Sequence, residues 1–148
     1  VHSDIEITIG DINNLDHSTI FMRQAQPEFG DIFTSEEIAE GLQIPIENID
    51  VSYPIHEVNT GLPYIIIPIT NLAAMESLDL QLESFRSFLL ARNKYRTNSK
   101  TGHSTSLFFF TKEAYEKGNT YNTRMKLIEN EKLSEDAATG SANGCLLA

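Results

Sequence analysis

The chain has no tryptophan, a single cysteine, and 11 lysines and arginines against 21 aspartates and glutamates in 148 residues. Each shortage excludes something. Cys145 has no second cysteine to pair with, so an intramolecular disulfide is impossible, and a lone thiol fits a reducing compartment. A net charge of −10 with scattered basic residues gives no stripe able to release counterions from a duplex, which excludes nucleic acid as a partner. No apolar stretch approaches the ~20 residues of a membrane span, and no signal peptide is visible, so no membrane partner is expected. The four histidines, His2, His17, His56 and His103, share no metal-ligand spacing, and no metal is expected. There is no catalytic triad, no dinucleotide fingerprint and no Gly-x-x-x-x-Gly-Lys phosphate loop. What remains is ordinary for one globular domain: 41% hydrophobic and 22% charged residues, enough for a real core. The expectation is a soluble, cytoplasmic protein.

Patterning predicts the elements. Ile5, Ile7 and Ile9 alternate with polar residues as a half-buried strand does, and 18–24 forms its hairpin partner across a turn at 13–16. Residues 27–31 break the pattern. Thr34-Ser35-Glu36-Glu37 is a capping-box signal for a short helix burying Ile38 and Leu42. Strands are expected at 49–57, at 64–69 as a fully buried run, at 107–110 and at 120–128. Pro68 should fall where no ladder donor is needed. Met75, Leu78, Leu82, Phe85 and Leu89 follow one another at 3-4-3-4 spacing, which predicts one amphipathic helix. Residues 93–104 read as a polar loop. Strand-rich order with a late helix points to an α+β fold. The chain opens at Val1 and stops at Ala148 inside an apolar run, so we expect a piece of a longer protein.

The densest chemical signal is Glu135-Asp136-Ala137-Ala138-Thr139-Gly140-Ser141-Ala142-Asn143-Gly144. An acidic pair leads into a turn of small residues and then a helix over 140–148. Small side chains admit a ligand close to the backbone, and the first amides of a helix attract a carboxylate or phosphate. The residues alone leave two readings open: a helix cap by Thr139 or Ser141, or a carboxylate cradle with Asp136 at its edge. In a cradle, an ionised Asp136 must face another part of the substrate, or its pKa must rise until it is protonated. Glu135 reads as a solvated neighbour and Cys145 as a core residue, while Gly61 in Thr60-Gly61-Leu62-Pro63 leaves two readings open, a plain β-turn between strands or a turn whose amides line the same pocket.

That segment resembles the Glu-Asp-Pro-Ala-Thr-Gly-Ser-Ala signature of the PhzF-like isomerases and epimerases. Val58-Asn59-Thr60-Gly61-Leu62-Pro63-Tyr64, Met22-Arg23-Gln24-Ala25-Gln26-Pro27-Glu28-Phe29 and Thr123-Arg124-Met125 resemble three further stretches of that family in the same order. The resemblance implies two similar lobes of the diaminopimelate-epimerase kind, each a curved mixed sheet wrapped round a central helix, with the active site between them. It assigns 1–30 to a strand hairpin from the end of the first lobe and 31–148 to the second lobe, cut within its central helix.

By the same resemblance, Asp136 and Ser141 match the second-lobe aspartate and serine that contact substrate; we take Asp136 as the catalytic residue and Thr139, Gly140, Ser141 and Gly61 as the expected substrate-binding residues. No cofactor is needed, the substrate is a small carboxylate, and a homodimer is plausible. The principal acid/base glutamate belongs to the first lobe, which is missing here, so the fragment alone is expected to be inactive. Ala137 stands where the family has proline and Lys126 where it has phenylalanine. The alternative is a non-catalytic carboxylate-binding protein on the same scaffold.

Overall fold

The computed structural model describes residues 6–14, 18–97 and 102–148. Among the described residues the chain forms two sheets and four α-helices. Strands β1 (Ile7–Ile9) and β2 (Ile20–Met22) pair antiparallel as a separate ribbon, with Ile7 opposite Met22. Six further strands form one sheet in sequence order: β3 (Glu28–Phe33), β4 (Ile55–Asn59), β5 (Pro63–Pro68), β6 (Ser106–Thr111), β7 (Asn122–Glu129) and β8 (Lys132–Asp136). Neighbours are antiparallel except for β5 and β6, which run parallel with Tyr64 opposite Ser106. A parallel pair needs a long crossover. Helices α2 (Leu72–Glu76) and α3 (Leu82–Ala91) supply it, while α1 (Ser35–Leu42) links β3 to β4 and α4 (Gly140–Leu146) follows β8. The α+β class is as expected.

Alternation along the central strands creates two apolar faces. Ile65, Ile67, Leu107 and Phe109 join Ile38 and Leu42 of α1, Met75 of α2, and Phe85 and Leu89 of α3 in one cluster. Tyr64, Ile66, Phe108 and Phe110 join Val58, Met125 and the α4 residues Ala142 and Cys145 in a second. The first three helices therefore cover one face, and α4 covers the other. Cys145 is buried, as expected of a core residue.

Several elements form as their sequence dictates. The Thr34 hydroxyl accepts from the Glu37 amide at 3.2 Å, and the Glu37 carboxylate accepts from the Thr34 amide at 2.9 Å, closing the capping box. Pro68 lies beyond the last β4–β5 pair, His56 with Ile66, so its missing N–H leaves no gap on that side.

Other expectations need correction. The ribbon is not half-buried: Ile7 is 60% exposed and Phe21 64%. Ile5 and part of the 13–16 turn lie outside the described residues, as does part of the 93–104 loop. Residues 28–31 continue into a strand despite the break at Pro27, with an irregularity between Phe29 and Ile32 that absorbs the mismatch. The strand expected at 49–57 starts only at Ile55, because Ile49 makes an isolated bridge to Ile69 and a turn intervenes. The single helix from Met75 to Leu89 is two. Ser77 donates its hydroxyl back to the Ala74 carbonyl at 2.8 Å, so the side chain serves an oxygen that would otherwise take the next helical amide.

Helix α1 packs closely on α3. A Cβ added at Gly41 would run into the ring of Phe88, itself buried. Alanine gains up to about 1 kcal/mol of helix propensity over glycine, whereas overpacking costs about 1–3 kcal/mol. Packing wins, so Gly41→Ala should lower the urea midpoint with an unchanged slope. A midpoint equal to or above wild type would show that the ring yields freely.

Candidate functional site

The β7–β8 hairpin aims the acidic pair. Asn130 and Glu131 both adopt left-handed backbone, at φ 50° and 60°, as two-residue primed turns require. The register then sets Glu135 opposite Lys126 and Asp136 opposite Met125. Successive strand residues face opposite sides. Glu135 meets Arg124 through paired contacts of 2.7 and 2.9 Å, and Lys126 also reaches it. Arg124 donates further to the Met75 carbonyl at 2.7 Å, tying the strand end to α2. Glu135 is thus an ion-paired anchor rather than the solvated neighbour expected. The Arg124 hydrogen bonds, followed by those of Lys126, hold its pKa down to about 2 against the cost of burial.

Asp136 sits on the other side of the strand, exposed, where the chain turns onto α4. One carboxylate oxygen accepts from the Thr139 hydroxyl at 2.6 Å and the other from the Ala138 amide at 3.3 Å. These two donors, Thr139 first, lower its pKa below the ordinary aspartate value. Without a ligand, Asp136 is therefore ionised at neutral pH.

Thr139 occupies the N-cap position of α4, yet its hydroxyl makes no cap bond and goes to Asp136 instead. That corrects the capping expectation. Beside it, Gly140 faces open space, since an added Cβ would meet nothing within 4 Å. Ser141 is half-buried, and its Oγ lies 2.7 Å from the hydroxyl of Tyr64.

Asp136, Thr139, Gly140 and Ser141 thus share one corner. Gly61 does not sit at that corner. Its turn packs near Cys145, where the Thr60 hydroxyl lies 3.3 Å from the Cys145 sulfur. Cys145 is five residues along α4 from Gly140, about 7.5 Å at ~1.5 Å per residue. Gly61 itself takes φ 141°, and its amide donates to the Asn59 side chain at 2.8 Å.

A cavity of about 140 Å³ shares Tyr64 with the corner and is walled by Leu62, Ser106, Met125 and Leu127 among others. It exists where Ser106 stands in line with the larger Phe108 and Phe110 along β6. His103 lines this cavity, and His56 stacks near Phe29, neither touching Asp136. Among the described residues no group of three or more His, Cys, Asp or Glu side chains could hold a metal ion. No helix there is long and apolar enough to cross a membrane.

Sequence reasoning missed Tyr64 and the Arg124–Glu135 clamp. The signal for Tyr64 was a residue with one polar tip opening an otherwise apolar strand. For the clamp it was a pair of opposite charges that only strand register brings together.

No family model matches the chain, and neither does any curated protein. Solved structures do. A phenazine biosynthesis protein of the PhzF family from Bacillus anthracis matches 96% of the chain at 28% identity and a TM-score of 0.72. A predicted epimerase from Pseudomonas aeruginosa matches 99% at 20% identity and a TM-score of 0.61, a likeness of fold. The chain spans 44% and 45% of the lengths of these two proteins. The PhzF-like resemblance seen in the sequence holds in three dimensions.

Two measurements check the electrostatics. Thr139→Val removes the stronger donor to Asp136, so the carboxyl pKa should rise toward the ordinary aspartate value in an NMR titration, while Thr139→Ser should leave it low. An unmoved pKa in the valine variant would mean that the Thr139 contact is not the cause. Glu135 has its folded pKa depressed, so its stabilisation is complete above 4.5 and fades as pH falls toward about 2. The stability gap between wild type and Glu135→Gln should therefore narrow across that window in urea melts, and a constant gap would contradict the ion-paired assignment.

Proposed function

We propose that this PhzF-like chain is one lobe of a cofactor-independent isomerase or epimerase that moves a proton on a small carboxylate-bearing substrate. The observation that carries this reading is an ionised Asp136 held beside the unobstructed backbone of Gly140 and the hydroxyl of Ser141. Gly140 and Ser141 receive the substrate carboxylate, with Thr139 fixing the turn between them and Asp136. Charge repulsion keeps that carboxylate off Asp136, which instead accepts a hydrogen bond from an amine or hydroxyl next to the reacting carbon. A base with a lowered pKa is poorly matched to abstracting a carbon-bound proton at neutral pH. Asp136 thus orients and polarises, and a carboxyl group of a companion lobe takes the proton from one carbon and returns it to another. The proton count balances, and no electron acceptor is required.

The companion lobe is the proposed partner, and three observations support it. The chain spans less than half of each solved relative. The β1–β2 ribbon leaves Ile7, Ile20, Phe21 and Met22 between 48% and 64% exposed. Phe29 and Ile32 on edge strand β3 are likewise exposed, at 55% and 69%. Exposed apolar side chains on both the ribbon and the sheet edge are what an interaction surface would offer. The ribbon then belongs with the companion lobe, and residues 31–148 form the second lobe, whose curved sheet wraps the helix that begins at Gly140.

The exposure of Asp136 favours one competing reading, carboxylate binding without chemistry on the same scaffold. Solvent-deuterium incorporation into a panel of small carboxylates, followed by NMR, separates the two. The 148-residue chain alone should exchange none, and the chain joined to its companion lobe should exchange its substrate. Asp136→Asn in that assembly should cut turnover about 10²- to 10³-fold, the span of one group that stabilises developing charge rather than moving the proton. Near-wild-type turnover would remove Asp136 from the chemistry, and exchange in no assembly would favour the binding protein.

A further inference from the structure

Tyr64 is the second residue of β5, with its side chain under α4, only 2% exposed, among Ile66, Phe108 and Met125. A buried O–H without an acceptor forfeits its hydration with nothing in return. Among the described residues, that phenol has one hydrogen-bond partner, Ser141 Oγ at 2.7 Å, and either oxygen could donate. Hydrogen accounting decides between them. If Ser141 donated, the phenol hydrogen would be stranded in the apolar layer. If Tyr64 donates, its single hydrogen is used, and the hydrogen of half-buried Ser141 is free to turn toward solvent. Burial first, and to a lesser degree the nearby Asp136 carboxylate, raises the phenol pKa despite the Ser141 contact, so the phenol keeps its proton at neutral pH.

We infer that Tyr64 is a positioning residue: it occupies a lone pair of Ser141 and fixes that serine as an outward-pointing donor for the anionic group of the ligand. The inference rests on the carboxylate-binding reading of Ser141. A solvated serine hydroxyl donates or accepts with equal ease and so tells a carboxylate from an amine poorly. One held by a buried phenol presents its hydrogen outward and prefers an acceptor. The site then selects ligands that offer a carboxylate or another anionic oxygen at this point, and it disfavours those that offer only N–H or O–H donors.

The test is an NMR titration of the 148-residue chain with benzoate, and with benzylamine as the donor-only counterpart, followed at the Gly140 and Ser141 amides. Tyr64→Phe should weaken benzoate binding about 3- to 10-fold, the worth of one net hydrogen bond, and leave benzylamine binding unchanged or tighter. Ser141→Ala should lose as much, and the double variant should be no weaker than Ser141→Ala alone. Incorporating 3-fluorotyrosine at position 64 keeps the shape and strengthens the donor, so benzoate should bind more tightly. That arm stands even if the phenylalanine variant folds poorly. Losses that multiply in the double variant, or no gain with the fluorinated phenol, would overturn the role of Tyr64. Benzoate binding that ignores Ser141→Ala, or no binding to wild type, would sink the carboxylate-binding reading itself. A response to Ser141→Ala with none to Tyr64→Phe would sink the tyrosine's role alone.

Discussion

Strands β5 and β6 carry apolar side chains on both faces, Ile65, Ile67, Leu107 and Phe109 one way and Tyr64, Ile66, Phe108 and Phe110 the other. A parallel pair built like this must be covered twice. Helices α1, α2 and α3 cover the first face and are formed before the sheet is complete in sequence. The second face waits for α4, which the chain reaches only after running β7 and β8. The corner between β8 and α4 is thus where the polypeptide must pass from the sheet edge onto an exposed apolar face. A tight turn of small residues is the local answer to that demand, and it leaves an open approach at Gly140.

Two adjacent carboxylates at this corner do different work because strand geometry separates them. Glu135 points toward Arg124 and Lys126 and is consumed by ion pairing, which pins β7, β8 and α2 together. Asp136 points the other way and is held only by its own turn, through Thr139 and Ala138. The anchor costs the site nothing, since its charge is neutralised on the far face. It also keeps the strand end from fraying, so the short Asp136–Thr139 contact closes on a fixed frame. Lys126, which departs from the family pattern, is part of that anchor, with its side chain 12% exposed. A hydrophobic residue at that position would leave Arg124 as the sole cation on Glu135.

What sequence could and could not reveal follows from the range of the forces involved. The capping box at Thr34 and Glu37 was legible because both partners lie within four residues. The buried strand at Tyr64–Ile67 was legible because composition alone betrays burial on both faces. The division of the Met75–Leu89 stripe was not, since both helices keep the same spacing of apolar residues and no glycine or proline marks the break. Only the back-bonding of Ser77 records it. Strand β8 was missed because one apolar residue, Leu133, stands among Lys132, Ser134, Glu135 and Asp136, and its pairing is set by the turn at Asn130 and Glu131. At the site, the motif located Asp136, Thr139, Gly140 and Ser141 on one corner. Tyr64 and Arg124 are 77 and 11 residues from their partners, Ser141 and Glu135, beyond the reach of any local pattern.

The distribution of exposed apolar side chains links the proposed partner to the proposed chemistry. Neither core cluster contains a residue before Phe33, so the β1–β2 ribbon draws no support from the main core. An isolated two-stranded ribbon is marginal in water, and one that exposes Ile7, Ile20, Phe21 and Met22 is costlier still. Its exit segment is nevertheless seated on α4: a Cβ at Gly144 would come within 2.8 Å of the Gln24 side chain, so glycine is what permits that approach. A companion that covers the ribbon is thereby brought up to the helix that carries Ser141. On the proposed reading, the apolar contact and the delivery of a second carboxyl group to the substrate would be one event, in which burial of the ribbon supplies the driving force and the corner at Asp136 the alignment.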